Sequence, residues 1–188
     1  MIYEIYKNVR NSSWRCLLEC GINSLPVNLS QICKYYGIRI VKNSFLKENR
    51  LMTNEKAKNM FINGQWYIIV DDSDYITVQR YSIAHEIGHI LMGNDISEYE
   101  AERFAINILA PACVLWGLNL HTAKDISEVC NISMRASHIR AERMEVLYKR
   151  NKFLTSPLER QVFEQFSGFL EFQKEISASE QIESGEIY

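Results

Sequence analysis

The chain has 188 residues, of which 47% are hydrophobic and 23% charged, the proportions of a soluble globular protein with one domain or one domain plus a small appendage. Its formal net charge of −2 gives no global attraction to nucleic acid or to an anionic membrane. No apolar stretch approaches membrane-spanning length, and the start, Met1-Ile2-Tyr3-Glu4-Ile5-Tyr6-Lys7, lacks the basic-then-apolar layout of a secretion signal, so no membrane partner is expected.

Residues 3–20 read as a helix with Trp14, Leu17 and Leu18 facing inward, joined by Ile5, Tyr6 and Val9, and Gly21 as its stop. Asn28 can cap a second helix, with Gln31 three residues on completing a capping box and Gly37 ending it. Cys16, Cys20, Cys33, Cys113 and Cys130 show no zinc-ribbon spacing. Cys16 and Cys20 stand at i and i+4, which is at most half a metal site. Reduced thiols serving as small core residues in a cytoplasmic protein are the expectation.

Ile38-Arg39-Ile40-Val41 alternates weakly and predicts a first strand. Residues 43–55 are polar and carry no clear pattern. Lys58–Ile62, Asn63-Gly64 and Gln65–Val70 then predict a β-hairpin, because Asn-Gly accepts the positive φ angles of a two-residue turn. Asp71-Asp72-Ser73-Asp74 has three carboxylates in four residues but lacks the rest of a calcium loop, and reads as a solvated turn.

The next stretch, Arg80 to Gly93, holds His85-Glu86-Ile87-Gly88-His89. Positions i and i+4 share one face of a helix, so both imidazoles can address one cation. Neutral histidine nitrogens suit zinc at about 2.0–2.1 Å, and two of them leave room for a third ligand and a water. Glu86, beside the first ligand, can take the proton of that water and direct the hydroxide at a carbonyl. Ile83, Ala84, Ile87, Ile90 and Leu91 form an apolar stripe, and Gly93-Asn94 supplies a stop signal, as in any buried helix. His85, Glu86 and His89 are what distinguish this one.

Ser97 opens another helix whose apolar face is Ala101, Phe104, Ala105, Ile108 and Leu109, stopped near Pro111. A third metal ligand should come from here. Asp95, Glu98, Glu100 and Glu102 are all candidates. Ser97-x-x-Glu100 is also a capping box, which would use the Glu100 carboxylate on backbone N–H groups. Spacing leaves these readings open.

Residues 123–150 predict two helices separated near Asn131-Ile132-Ser133, a helix-turn-helix pattern. Between 131 and 153, Arg135, Arg140, Arg143, Lys149, Arg150 and Lys152 outnumber Glu142 and Glu145. That strip could contact phosphates, although a solvated helix face is the commoner origin of such patterning. DNA binding is therefore not favoured. Ser156-Pro157 starts a last helix with Leu158, Val162, Phe163, Phe166, Phe169 and Leu170 as an apolar stripe able to dock in cis or on a partner. The end from Ile176 is acidic and expected to be loosely ordered.

Several of these stretches, in this order, resemble the ImmA/IrrE metallopeptidases of bacteria and their mobile elements. They are Leu25-Pro26-Val27-Asn28-Leu29 with Tyr36-Gly37-Ile38, Arg80 through His89, Glu100-Ala101-Glu102-Arg103-Phe104-Ala105 with Leu109-Ala110-Pro111, and residues 126–147. Ala110 departs from the family's usual Met, a packing change. The resemblance implies His85 and His89 as zinc ligands, Glu86 as catalytic base, and Glu100, which begins Glu-Ala-x-x-Phe-Ala, as third ligand. It also implies a protein substrate, a helix-turn-helix transcriptional repressor of a stress response or mobile element.

The combined reading is an α+β fold, with a small antiparallel sheet packed on helices and a zincin-like active-site helix. Residues 1–122 would be the metallopeptidase core, 123–153 a helix-turn-helix-like segment packed on it, and 154–188 an amphipathic helix with an acidic tail. The expected activity is zinc-dependent endopeptidase hydrolysis, with manganese as the other candidate ion. Tyr99, His121 and His138 are candidates for the oxyanion donor. Rival readings are a small-molecule amidase using the same motif, a DNA-binding module, and a metal-gated regulatory or toxin-like protein acting on a repressor without turnover.

Overall fold

The computed structural model describes residues 2–93 and 95–183. Asn94 and the last five residues of the acidic tail lie outside the described residues. Helix α1 (Ile2–Glu19) buries Val9, Trp14, Cys16 and Leu17, while Ile5 faces outward. Gly21 at φ 63° ends it, where the N–H of Ile22 turns back to the Leu17 carbonyl. Helix α2 (Leu29–Tyr35) is capped by the Asn28 side chain, which accepts from the Gln31 N–H at 3.2 Å. The Gln31 amide does not complete a capping box. It donates instead to the Cys20 carbonyl at 2.7 Å, tying α2 to the end of α1.

Strand β1 (Ile38–Lys42) leads into residues 43–56, where Asn43–Phe45 form a single 3-10 turn. Strands β2 (Ala57–Ile62) and β3 (Gln65–Val70) form the expected hairpin. Asn63 and Gly64 both have positive φ, 51° and 79°, as the two-residue turn requires. The sheet order is β1-β3-β2, with β2 antiparallel and β1 parallel to β3. The sheet is thus mixed rather than antiparallel. The chain leaves β1, crosses to the far side of β3's position and returns through the hairpin, so β1 and β3 run the same way. Strand β2 is left as an edge.

The carboxylates of the following loop are spent locally. Asp71 accepts from Ser73, Asp72 from Ser44, and Asp74 pairs with Lys56 at 3.0 Å. Helix α3 (Ile76–Met92) starts four residues before the predicted stretch, because β-branched Ile76, Thr77 and Val78 are poor helix signals that tertiary packing overrides. The Arg80 guanidinium donates to the carbonyls of Asn131 (3.1 Å) and Val27 (3.0 Å), fixing α3 to two distant segments.

Helix α4 (Glu98–Leu109) lies between α3 and α1. A Cβ on Gly88 would meet Phe104 atoms at 3.0–3.2 Å, so the glycine lets α3 and α4 approach closely. Its intrinsic helix cost of about 1 kcal/mol relative to Ala is offset by this contact. A short helix α5 (Ala112–Gly117), not anticipated from sequence, follows Pro111 and buries Ala112, Cys113, Val114 and Leu115. All five cysteines are buried and free, and burial pushes the Cys33, Cys113 and Cys130 thiols up to about 12.

Helices α6 (Ala123–Cys130) and α7 (Met134–Arg150) meet at Asn131, whose αL conformation turns the chain. The basic strip read from this segment is not one surface. Arg140 is only 3% exposed, Arg143 lies over the Tyr6 ring, and Lys149 pairs with Glu145 at 2.6 Å.

The last apolar stripe forms two helices, α8 (Pro157–Gln165) and α9 (Ser167–Glu183), broken at Phe166. Val162, Phe166 and Leu170 are buried in the common core. The Gln165 amide donates to the carbonyls of Leu17 (2.9 Å) and Ile22 (2.6 Å). The stripe therefore docks in cis, on α1 and α5. Residues 176–183, expected to be loosely ordered, continue α9. No described helix is long and apolar enough to cross a membrane.

Candidate metal centre

One helical turn separates His85 from His89 on α3, and their Nε2 atoms stand 3.2 Å apart. Glu98, the first residue of α4, brings Oε2 to 3.1 Å from His85 Nε2 and Oε1 to 3.4 Å from His89 Nε2. Among the described residues, His85, His89 and Glu98 are the group whose ligand atoms converge. Four ligands placed about 2.0–2.1 Å from a central zinc stand roughly 3.3–3.4 Å apart along the tetrahedron's edges. The three observed separations match that spacing, so the donor set fits a divalent ion in size as well as in chemistry.

Glu100, which the resemblance implies as third ligand, is not brought to the histidines. Its Oε2 accepts from the Ser97 N–H at 3.0 Å and from the Ser97 hydroxyl at 2.7 Å, while the Ser97 Oγ accepts from the Glu100 N–H. The Ser97 hydroxyl and N–H together hold the Glu100 carboxyl below its ordinary value. Residues two apart on a helix project about 200° apart, so Glu98 and Glu100 cannot both face α3. The capping box was the available signal: it commits the Glu100 carboxylate to the helix end, while Glu98 faces the histidines.

Glu86 is 8% exposed and is held by a residue with no sequence signal. Asn59, on β2, donates to Glu86 Oε2 twice, from its backbone N–H at 3.0 Å and from Nδ2 at 2.7 Å. Glu86 Oε1 makes no hydrogen bond among the described residues. The backbone bond from Asn59 also shows that its N–H faces away from β3, so the free edge of β2 looks onto α3.

These groups line a cleft of about 660 Å³, bounded by Ala57, Asn59, Tyr81 and Glu102 beside the histidines. A second pocket of about 330 Å³ shares Val78, Tyr81 and Glu102 with it and runs on to Arg103, Arg135 and Ile139. Burial, with a contribution from Glu102, pushes the Tyr81 phenol up to about 12. Of the expected oxyanion donors, Tyr99 lines the second pocket. His121 stacks on Tyr148 at 4.3 Å, and with His138 it lines a separate cavity. None of the three lines the cleft.

A family model described as the IrrE N-terminal-like domain, Peptidase M78, matches residues 33–142, more than half of the chain. The match contains the histidine pair, Glu86, Asn59, Glu98 and Glu100. The chain matches no curated protein.

Proposed function

The chain belongs to the IrrE N-terminal-like peptidase family, and from that premise we propose that it is a zinc-dependent endopeptidase of the His-Glu-x-x-His type. His85, His89 and Glu98 hold the ion, and Glu86 is the general base. The observation that carries this reading is the mutual 3.1–3.4 Å spacing of the three ligand atoms. Two imidazoles with one carboxylate are a donor set suited to zinc, with manganese as the alternative ion. Such an ion, when bound, supplies Lewis acidity and makes water acidic enough to ionise near neutral pH.

The protein's own residues do the rest. Asn59 fixes one oxygen of Glu86, which leaves Oε1 to accept a proton from water and return it to the departing amine. Strand β2 presents its outer edge to the cleft, with Ala57 and Asn59 at the wall and the Asn59 N–H already taken by Glu86. An extended peptide can add to that edge through main-chain hydrogen bonds, which favours a protein substrate over a small amide. Residues 1–122 would form the catalytic core, with 123–153 packed on it and 154–188 completing the C-terminal side.

We take the substrate to be a helix-turn-helix repressor in the bacterial cytoplasm, controlling a stress response or a mobile element, on the strength of the resemblance of Arg80–His89 and Glu100–Pro111 to the ImmA/IrrE enzymes. Metal content of protein purified without added metal tests the site. Near-stoichiometric zinc in wild type and in Glu100→Ala, with loss in His89→Ala and Glu98→Ala, is expected. Retention of zinc in Glu98→Ala would remove Glu98 from the ligand set. Co-expression with a candidate repressor, followed by intact-mass measurement, tests the activity. Two fragments that together gain one water, absent with Glu86→Gln, are expected; an intact repressor beside zinc-loaded enzyme would overturn that substrate.

A further inference from the structure

Arg140 of α7 is a buried cation with no carboxylate within salt-bridge distance among the described residues. Its side chain is 3% exposed, and Nη2 donates to the Ile106 carbonyl at 2.7 Å and to Asn107 Oδ1 at 3.0 Å. Burial pushes the guanidinium down to about 10, which still leaves it charged at neutral pH. Arg140 Nε, Arg143 Nε and Asn107 Nδ2 are all buried N–H donors without a partner. The residues that carry them line one small cavity, together with Arg10, Lys152 and Glu159.

That cavity collects four cationic side chains and one carboxylate. Glu159 is itself 5% exposed and accepts from the Thr155 N–H at 2.9 Å. Among the described residues, no carboxylate comes within salt-bridge distance of any of the four cations. A buried charge without a counter-charge is strongly unfavourable, and buried donors without acceptors add to the cost. Water can meet the donors and hydrogen-bond to Glu159, but it leaves the excess of cationic side chains over that one carboxylate without a counter-charge. An anion accepts from every side and donates nothing.

We propose that this cavity is a binding site for a small inorganic anion of chloride size. The space, about 30 Å³, holds roughly one such ion or two waters and is too small for phosphate or sulfate. The ion would sit where α1 (Arg10), the end of α4 (Asn107), α7 (Arg140, Arg143) and α8 (Glu159) meet. It would bind the C-terminal helices to the core that carries the histidines, so that docking of α7 depends on the anion. This does not rest on the peptidase reading.

The test is thermal unfolding of the full chain in sodium chloride against sodium gluconate, at matched ionic strength and pH. Wild type should unfold at a higher temperature in chloride, with a midpoint that climbs with the logarithm of chloride concentration. At one hundred times the dissociation constant, the unfolding equilibrium constant should fall about 100-fold. Asn107→Asp supplies a carboxylate beside Arg140, so its midpoint should no longer respond to chloride. Arg143→Gln, at the partly exposed wall, should fold and show a reduced response even if the aspartate variant does not fold. Equal wild-type midpoints in the two salts would overturn the site, as would a chloride shift undiminished in both variants. Crystals soaked in bromide should show an anomalous peak between Arg140 and Arg143; density of water alone there would also overturn it.

Discussion

The two ends of α4 pose opposite electrostatic problems. At its N-terminus the Glu98 carboxylate and the His85 and His89 nitrogens converge, so lone pairs gather without a cation of the protein's own. At its C-terminus Arg140 reaches the Ile106 carbonyl, and N–H groups gather around a space where four cationic side chains meet the single carboxylate of Glu159. The helix dipole favours this distribution, since it places carboxylates at the positive end and a guanidinium at the negative end. It does not account for the surplus. A capped helix end needs one carboxylate, which Glu100 already provides, so Glu98 is available for another role. Surplus acceptors on a rigid frame suit a cation, and surplus donors suit an anion.

The largest expected effect breaks the chemistry at the first end and leaves its geometry standing. Glu86→Gln should retain zinc and native stability to within a small change, because the glutamine carbonyl can still accept from Asn59. Turnover should fall by about 10²–10⁴-fold, the usual weight of a general base. Measured cleavage rates beside metal content check this. A variant that loses both together would make Glu86 a structural support of the centre rather than its base.

Asn59 sharpens the same point from the other side of the cleft. Asn59→Ala removes the 2.7 Å bond to Glu86 but keeps the backbone one. A loss of about 10–100-fold, the range for groups that orient an active-site shell, should appear in kcat with KM nearly unchanged. A rise in KM alone would instead assign Asn59 to substrate contact.

His85, Glu86 and His89 could be found from sequence because their relation is local: one helical turn fixes which face they share. Asn59 could not. It lies 27 residues from Glu86, and only the direction of the β2 edge brings it there. Parallel pairing of β1 with β3 was hidden for a similar reason, since alternation predicts a strand but not its neighbour. Arg140 looked like one member of a basic strip, because helical spacing reveals which residues share a face but not whether another helix covers it. The break at Phe166 was obscured by an apolar pattern that runs through both α8 and α9 without losing phase.

Contact between α3 and α4 sets how close Glu98 comes to the histidines, and Gly88 controls that contact. Gly88→Ala would place a methyl at 3.0–3.2 Å from Phe104. Overpacking of this kind costs about 1–3 kcal/mol, against a helix-propensity gain of about 1 kcal/mol. A net destabilisation of roughly 1 kcal/mol in chemical denaturation is expected, with weaker zinc affinity because α4 is pushed outward. Stabilisation with unchanged affinity would mean that the Phe104 ring yields without moving the helix.

The smallest effect separates Glu98 from Glu100 at the start of α4. Glu100→Ala removes one half of the capping box and should lower stability by about 0.5–1 kcal/mol, while zinc content stays near that of wild type. Glu98→Ala should do the reverse: little change in the stability of the metal-free protein, since its side chain is 79% exposed, and loss of bound zinc. Denaturant midpoints taken with and without a chelator separate the two contributions. The metal-dependent part of the stability should vanish in Glu98→Ala and survive in Glu100→Ala. The opposite pattern would mean that Glu100 leaves Ser97 when the ion binds, and that the capping box closes only in its absence.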